Sequence, residues 1–116
     1  MPGGFVLTLP ETPPSVNSLF ANVGRRRVKT RAYLAWRRAA EWELASQYRG
    51  QEIIGRVSVS IQLPMKTRGD ADNRVKATLD ALQGAGIIVN DSQCDPVSIG
   101  RAEVEQTTIH IEVAPC

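Results

Sequence analysis

The stretch GRVSVSIQL, residues 55–63, alternates without a break: Val57, Val59, Ile61 and Leu63 face one way, and Arg56, Ser58, Ser60 and Gln62 the other. A period of two fits a β-strand with one buried face. A slip of one residue would turn every apolar side chain to water, so the register is tightly specified. The rest of the chain must then supply elements that cover one face of a sheet.

Those elements are readable in order. Residues 4–9 place Phe5, Leu7 and Leu9 in alternation with Val6 and Thr8, a short strand closed by Pro10. The segment LPETPPSVNSLFANVGRRRVK holds three prolines, two Asn and a Gly, and reads as a long ordered loop. Unstructured loops of that length are usually functional. Thr30 is a candidate N-cap for a helix running to about Arg49, with Tyr33, Trp36, Ala40 and Leu44 at helical spacing and Gly50 as the stop. Trp36 and Trp42 are expected to be packing anchors. A second helix is predicted over 71–84, with Val75, Leu79 and Leu82 as a narrow apolar stripe ended by Gly84 and Gly86. GIIVND then predicts a short strand entering a turn at Asn90-Asp91, and the remainder a hairpin over about 97–104 and 108–114. In its last strand Ile109, Ile111 and Val113 point inward, His110 and Glu112 outward. The order β-α-β-α-β-β-β gives an α/β (α+β) fold: a mixed sheet with two helices packed on it.

A chain of 116 residues fits one domain, spanning 1–116, and buries roughly two thirds of its unfolded surface. The hydrophobic fraction of 42% and charged fraction of 22% exclude a disordered class and predict a soluble globular protein. The opening MPGGFVLTLP lacks the basic start of a secretory signal, and no apolar run is long enough to span a bilayer, so a cytoplasmic protein with no membrane partner is expected. Cys94 and Cys116 have no metal-ligand spacing and read as reduced thiols.

The net charge of +2 hides an asymmetry. Residues 1–50 carry a balance of +5 and residues 51–116 a balance of −3, and seven of the fourteen basic residues fall between Arg25 and Arg38. A chain divided in this way has one part suited to a polyanion and another suited to a cation.

The acidic part concentrates in GDADNRVKATLDAL, residues 69–82. Asp70 and Asp72 fall where a loop enters the second helix; in extended backbone, residues two apart point to the same side. A hard cation such as Mg²⁺ takes one or two carboxylates at about 2.1 Å, with water and phosphate completing its shell. Asp72 serves equally well as a helix N-cap, and D-x-D alone does not choose between the two. Asp72, Lys76 and Asp80 also match a surface acid–base–acid ladder at four-residue spacing. Asp91 fits an ordinary turn position. His110, the single histidine, has no Cys or Ser constellation and reads as a surface residue. No G-x-S-x-G, P-loop, G-x-G-x-x-G or zinc spacing occurs, so acyl transfer, nucleotide hydrolysis and dinucleotide chemistry lack support.

Three stretches together resemble the RusA family of Holliday-junction resolvases, endodeoxyribonucleases often encoded by prophages. PPSVNSLF (13–20) is similar to that family's P-P-S-x-N loop, DADNRVKATLDALQGAGII (70–88) to its D-x-D-N-x-x-K-x-x-L-D-A-L block, and VNDSQCD (89–95) to its D-D-x-Q turn. They occur in the family's order and span nearly the whole chain. The resemblance implies that Asp70, Asp72 and Asp91 bind Mg²⁺, with Mn²⁺ a second candidate, that Lys76 is catalytic, and that Asn73 and Asp80 support them. It also implies a homodimer acting on branched DNA. One departure is Asn90, where the family usually has a first Asp. Given such a substrate, Arg25, Arg26, Arg27, Lys29 and Arg31, joined by Arg37 and Arg38, are candidates to hold phosphates, as are Lys66 and Arg68 beside the carboxylates. The contrasting expectation is a branched-DNA-binding protein of the same fold with weak or no cutting activity.

Overall fold

The computed structural model describes residues 3–114. Four strands form the main sheet: β1 (Gly4–Leu9), β4 (Val57–Pro64), β5 (Cys94–Ala102) and β6 (Thr107–Val113), in the order β1-β6-β4-β5. Strand β4 is central, antiparallel to β6 and parallel to β5, so the sheet is mixed. Helices α1 (Arg31–Gln47) and α2 (Val75–Gly84) complete the layer. The alternation read from 55–63 is realised: Val57, Val59, Ile61 and Leu63 are buried with Leu7, Leu9, Ile109 and Ile111 against Tyr33, Ala40, Leu44, Leu79 and Leu82. Burying each of these Val, Leu and Ile side chains contributes about 1.5–3 kcal/mol. Among the described residues no helix is long and apolar enough to cross a membrane.

Helix α1 starts where expected. Thr30 Oγ1 accepts from the Tyr33 N–H at 3.2 Å. The helix ends at Gln47, short of the expected Arg49, because Tyr48 turns extended, stacks on Phe5 at 4.8 Å and donates its hydroxyl to the Gln51 carbonyl. The Gln47 amide exchanges two 2.8 Å hydrogen bonds with the Thr8 backbone, covering part of the β1 edge. Trp36 is buried, but Trp42 is 77% exposed, which corrects its expected role as an anchor. Six residues past Trp36, it falls off the 33–36–40–44 stripe. It borders an apolar groove of about 640 Å³ with Leu9, Pro10 and Trp36.

Three further expectations change. The loop over 10–29 contains a 3₁₀ turn at Val16–Ser18 and a hairpin of β2 (Phe20–Val23) and β3 (Arg26–Lys29). Gly24, at φ +62°, takes the first central position of its two-residue turn, a position that strongly favours glycine. GIIVND forms no regular strand. Ile87 and Ile88 are fully buried, yet Ile88 makes only one isolated parallel bridge, to Ile53. Finally, β5 and β6 do not form a hairpin: β6 inserts between β1 and β4, and β5 lies on the other side of β4. The helical crossover through α2 returns the chain to run parallel to β4, as a β-α-β connection requires. Cys94 is a free thiol, pushed up from its ordinary pKa by burial and then by the Asp91 charge; Cys116 lies outside the described residues.

Candidate active site

The carboxylate turn is built by backbone contacts. After β4, Thr67 closes a turn onto Pro64, and Gly69 adopts φ +85°. Arg101 on β5 donates to the Thr67 carbonyl at 2.8 Å and to the Gly69 carbonyl. From the other side, Arg74 donates to the Pro13 carbonyl at 2.6 Å and to the Arg68 carbonyl at 2.8 Å. One guanidinium thus ties the P-P-S-x-N segment to the D-x-D block. The hairpin β2–β3 grows from that same segment, and Thr30 secures its base by donating to the Leu19 and Ser18 carbonyls.

The helix expected over 71–84 begins as a 3₁₀ turn, Ala71–Arg74, before α2. Asp70 occupies the N-cap, extended at φ −74° and ψ 125°, but its side chain makes no cap hydrogen bond. Asp72 stands exposed inside the turn, not at its cap. Helix capping therefore does not explain either carboxylate, and the same-side geometry of extended backbone applies only up to Asp70.

Lys76 sits one turn further on. Its Nζ lies 3.1 Å from Asp80 Oδ1 and 3.8 Å from Asp91 Oδ2. The anticipated ladder is half present: among the described residues Lys76 pairs with Asp80 and Asp91 and not with Asp72. Asp80 reaches further, accepting the buried Tyr33 hydroxyl at 2.7 Å on Oδ2. Burial, then the Asp80 hydrogen bond and charge, push the Tyr33 phenol well above its usual pKa, with Arg37 opposing.

Asp91 opens a 3₁₀ turn, Asp91–Gln93, held in place by its neighbours. Asn90 Oδ1 accepts from the Ser92 N–H at 2.9 Å, and Gln93 Oε1 accepts from the Asn90 and Val89 N–H groups in a capping box. Gln93 Nε2 donates to the Ile53 and Gly55 carbonyls. Asn90 is thus an acceptor at a cap, a role that Asp fills equally well. Gln93 takes two N–H groups that a strand ladder would have used, which is why 86–90 forms no strand.

The fold brings Lys76 and Asp91 together, and Asp70 and Asp72 share one turn. No group of three or more His, Cys, Asp or Glu side chains among the described residues is positioned to hold a metal ion. The oxygen-only donors of Asp70, Asp72 and Asp91 nevertheless fit a hard divalent cation in chemistry, and such an ion needs only one or two of them. Arg25, Arg26, Arg27, Lys29, Arg31, Lys66 and Arg68 all lie at the surface, and none pairs with a carboxylate among the described residues. Arg27 also lies 4.5 Å over the Phe20 ring. Arg37 departs from the expectation: it is half-buried, bonded to Glu41 at 2.7 Å and set over the Tyr33 ring, and so is committed within the protein. Tyr33 and Arg74 carry these roles without a motif that marks them in the sequence, whereas Gln93 is the Gln of the D-D-x-Q turn. The one signal is that a Tyr in a buried helical stripe must find a partner for its hydroxyl.

Comparison with known proteins points the same way. The model of the family described as "Endodeoxyribonuclease RusA" matches residues 10–114. A protein of Aquifex aeolicus (strain VF5), described as "Crossover junction endodeoxyribonuclease RusA", is 30% identical over 105 residues, covering 88% of this chain and 83% of that relative. The matched span contains the D-x-D block, Lys76 and the Asp91 turn. This chain belongs to the RusA family of endodeoxyribonucleases, enzymes that hydrolyse the phosphodiester bonds of DNA.

Proposed function

We propose that this chain resolves four-way DNA junctions by paired, symmetric, Mg²⁺-dependent cuts, acting as a homodimer. The observation that carries this reading is the position of Lys76 between Asp80 and Asp91, on the helix that follows an Asp70 whose side chain makes no cap hydrogen bond. The relative's description as a crossover junction enzyme supports the substrate class. Asp70, Asp72 and Asp91 are the residues that would hold Mg²⁺, or Mn²⁺ in its place. When bound, such an ion supplies Lewis-acid stabilisation of the charge that builds on the scissile phosphate and the leaving oxygen.

The chain's own residues divide the remaining work. Lys76 carries a compact charge with three donors and no acceptor, which suits contact with the scissile phosphate. Its side chain is half exposed, so it is open to a macromolecular substrate. Arg25, Arg26, Arg27, Lys29 and Arg31, with Lys66 and Arg68, hold backbone phosphates, contacts that read junction shape and not base sequence. Two related cuts need two sites, and a two-fold dimer supplies one from each copy.

The test is cleavage of a labelled four-way junction, with and without Mg²⁺, by the wild-type protein and by Asp70→Asn. Paired nicks that require the metal, and that disappear in a variant still able to bind, are expected. Salt-sensitive binding without any cutting favours the DNA-binding alternative, and cutting unchanged by Asp70→Asn refutes the site.

A further inference from the structure

Lys76 is a flexible side chain on an exposed helix face, and an i,i+4 pair with Asp80 is too weak to fix it alone. The structure supplies a second hold. Asp80 uses its two oxygens in two directions: Oδ2 accepts from the Tyr33 hydroxyl at 2.7 Å, and Oδ1 meets Lys76 Nζ at 3.1 Å. Tyr33 is 1% exposed and belongs to the buried stripe of α1, 47 residues away from Asp80 in sequence. Arg37 stiffens the same joint, with its guanidinium 5.8 Å from the Tyr33 ring centroid and a 3.4 Å bond to the Asp80 main-chain carbonyl. A buried phenol therefore sets the Asp80 rotamer, and the one oxygen left over sets where Lys76 ends.

We infer that Tyr33, acting through Asp80, is a positioning residue that aims Lys76 toward Asp91. This rests on the role given to Lys76 above. The phenol does not need to touch DNA; it acts by limiting where the ammonium can go. An aim of this kind governs the rate of the cut and not the affinity for the junction. Misplacing a catalytic group by about 1 Å costs up to about a hundredfold in rate.

The experiment is single-turnover cleavage of a four-way junction in Mg²⁺, with junction affinity measured separately by gel shift. Tyr33→Phe is expected to slow cleavage roughly ten- to a hundredfold while affinity stays within about twofold. Asp80→Asn keeps an acceptor for the phenol but offers Lys76 no anion. It is expected to slow cleavage comparably with an unchanged melting temperature, and it decides the matter if Tyr33→Phe does not fold. In an Asp80→Ala background, Tyr33→Phe is expected to add no further loss. Wild-type rates in Tyr33→Phe or in Asp80→Asn, a fall in rate matched by a fall in binding, or an undiminished Tyr33→Phe effect without Asp80 would each overturn the inference. Lys76→Met separates the two readings: if it cuts like the wild type, the role of Lys76 itself fails; if it is slow while Tyr33→Phe is not, only the positioning role fails.

Discussion

Lys76 Nζ lies 3.8 Å from Asp91 Oδ2, joining the helix that follows the D-x-D block to the turn that follows that helix. Two motifs separated along the chain thereby share one exposed corner. Asp91 is held there by a turn whose side-chain hydrogen bonds come from Asn90 and Gln93.

Asn90 supplies a cap, so Asn90→Asp keeps the acceptor and changes little. Cleavage within about twofold of the wild type, with an unchanged melting temperature, is expected because Asp and Asn cap almost equally well. A large gain in rate would show that the first turn position takes part in the chemistry.

Arg74 holds two segments together through the Pro13 carbonyl, 61 residues away in sequence, and the Arg68 carbonyl. Arg74→Met leaves both carbonyls without this donor and is expected to lower stability by about 1–3 kcal/mol in urea unfolding. Cleavage should fall as well, because the carboxylate turn is left with one of its two clamps. Stability equal to the wild type would contradict this role.

The hairpin arginines are exposed and pair with no carboxylate among the described residues, so their contribution should be electrostatic. Replacing Arg25, Arg26 and Arg27 by Gln should make the slope of log affinity against log salt shallower by roughly 0.9 for each phosphate that is no longer neutralised. Weaker binding at an unchanged slope would remove the hairpin from the DNA-binding surface.

Tyr33 gives stability a pH dependence of defined sign. Its folded pKa lies above the ordinary value of about 10, so the native state keeps a proton that the unfolded chain gives up. The contribution is complete below about pH 10 and falls as the pH rises above it. Urea unfolding from pH 8 to 11 should show the wild type losing stability more steeply above about pH 10 than Tyr33→Phe. Parallel curves would exclude the shift.

What the sequence made legible follows from the range of the forces involved. The register of β4 could be read because one buried face imposes a period of two, and Thr30 because a cap is a contact over three residues. The D-x-D block, Lys76 and the Asp91 turn were legible as a family resemblance. Partners set by tertiary packing were not: nothing near Tyr33 in the chain names Asp80 as its acceptor, and nothing near Arg74 names Pro13. The insertion of β6 between β1 and β4 was hidden for the same reason, since its alternation fits either neighbour. The hairpin leaves little signal because no residue of FANV or RRVK is fully buried, so no core face imposes a pattern on it, although a Gly-Arg turn at 24–25 is in view.

The most direct measurement is metal-supported junction cleavage by Asp70→Asn, Asp91→Asn and the double variant, with junction binding followed in parallel. One shared centre is expected to give large losses in both single variants, no further loss in the double, and retained binding throughout. Near-wild-type cutting by Asp91→Asn, or losses that multiply in the double variant, would contradict a common site.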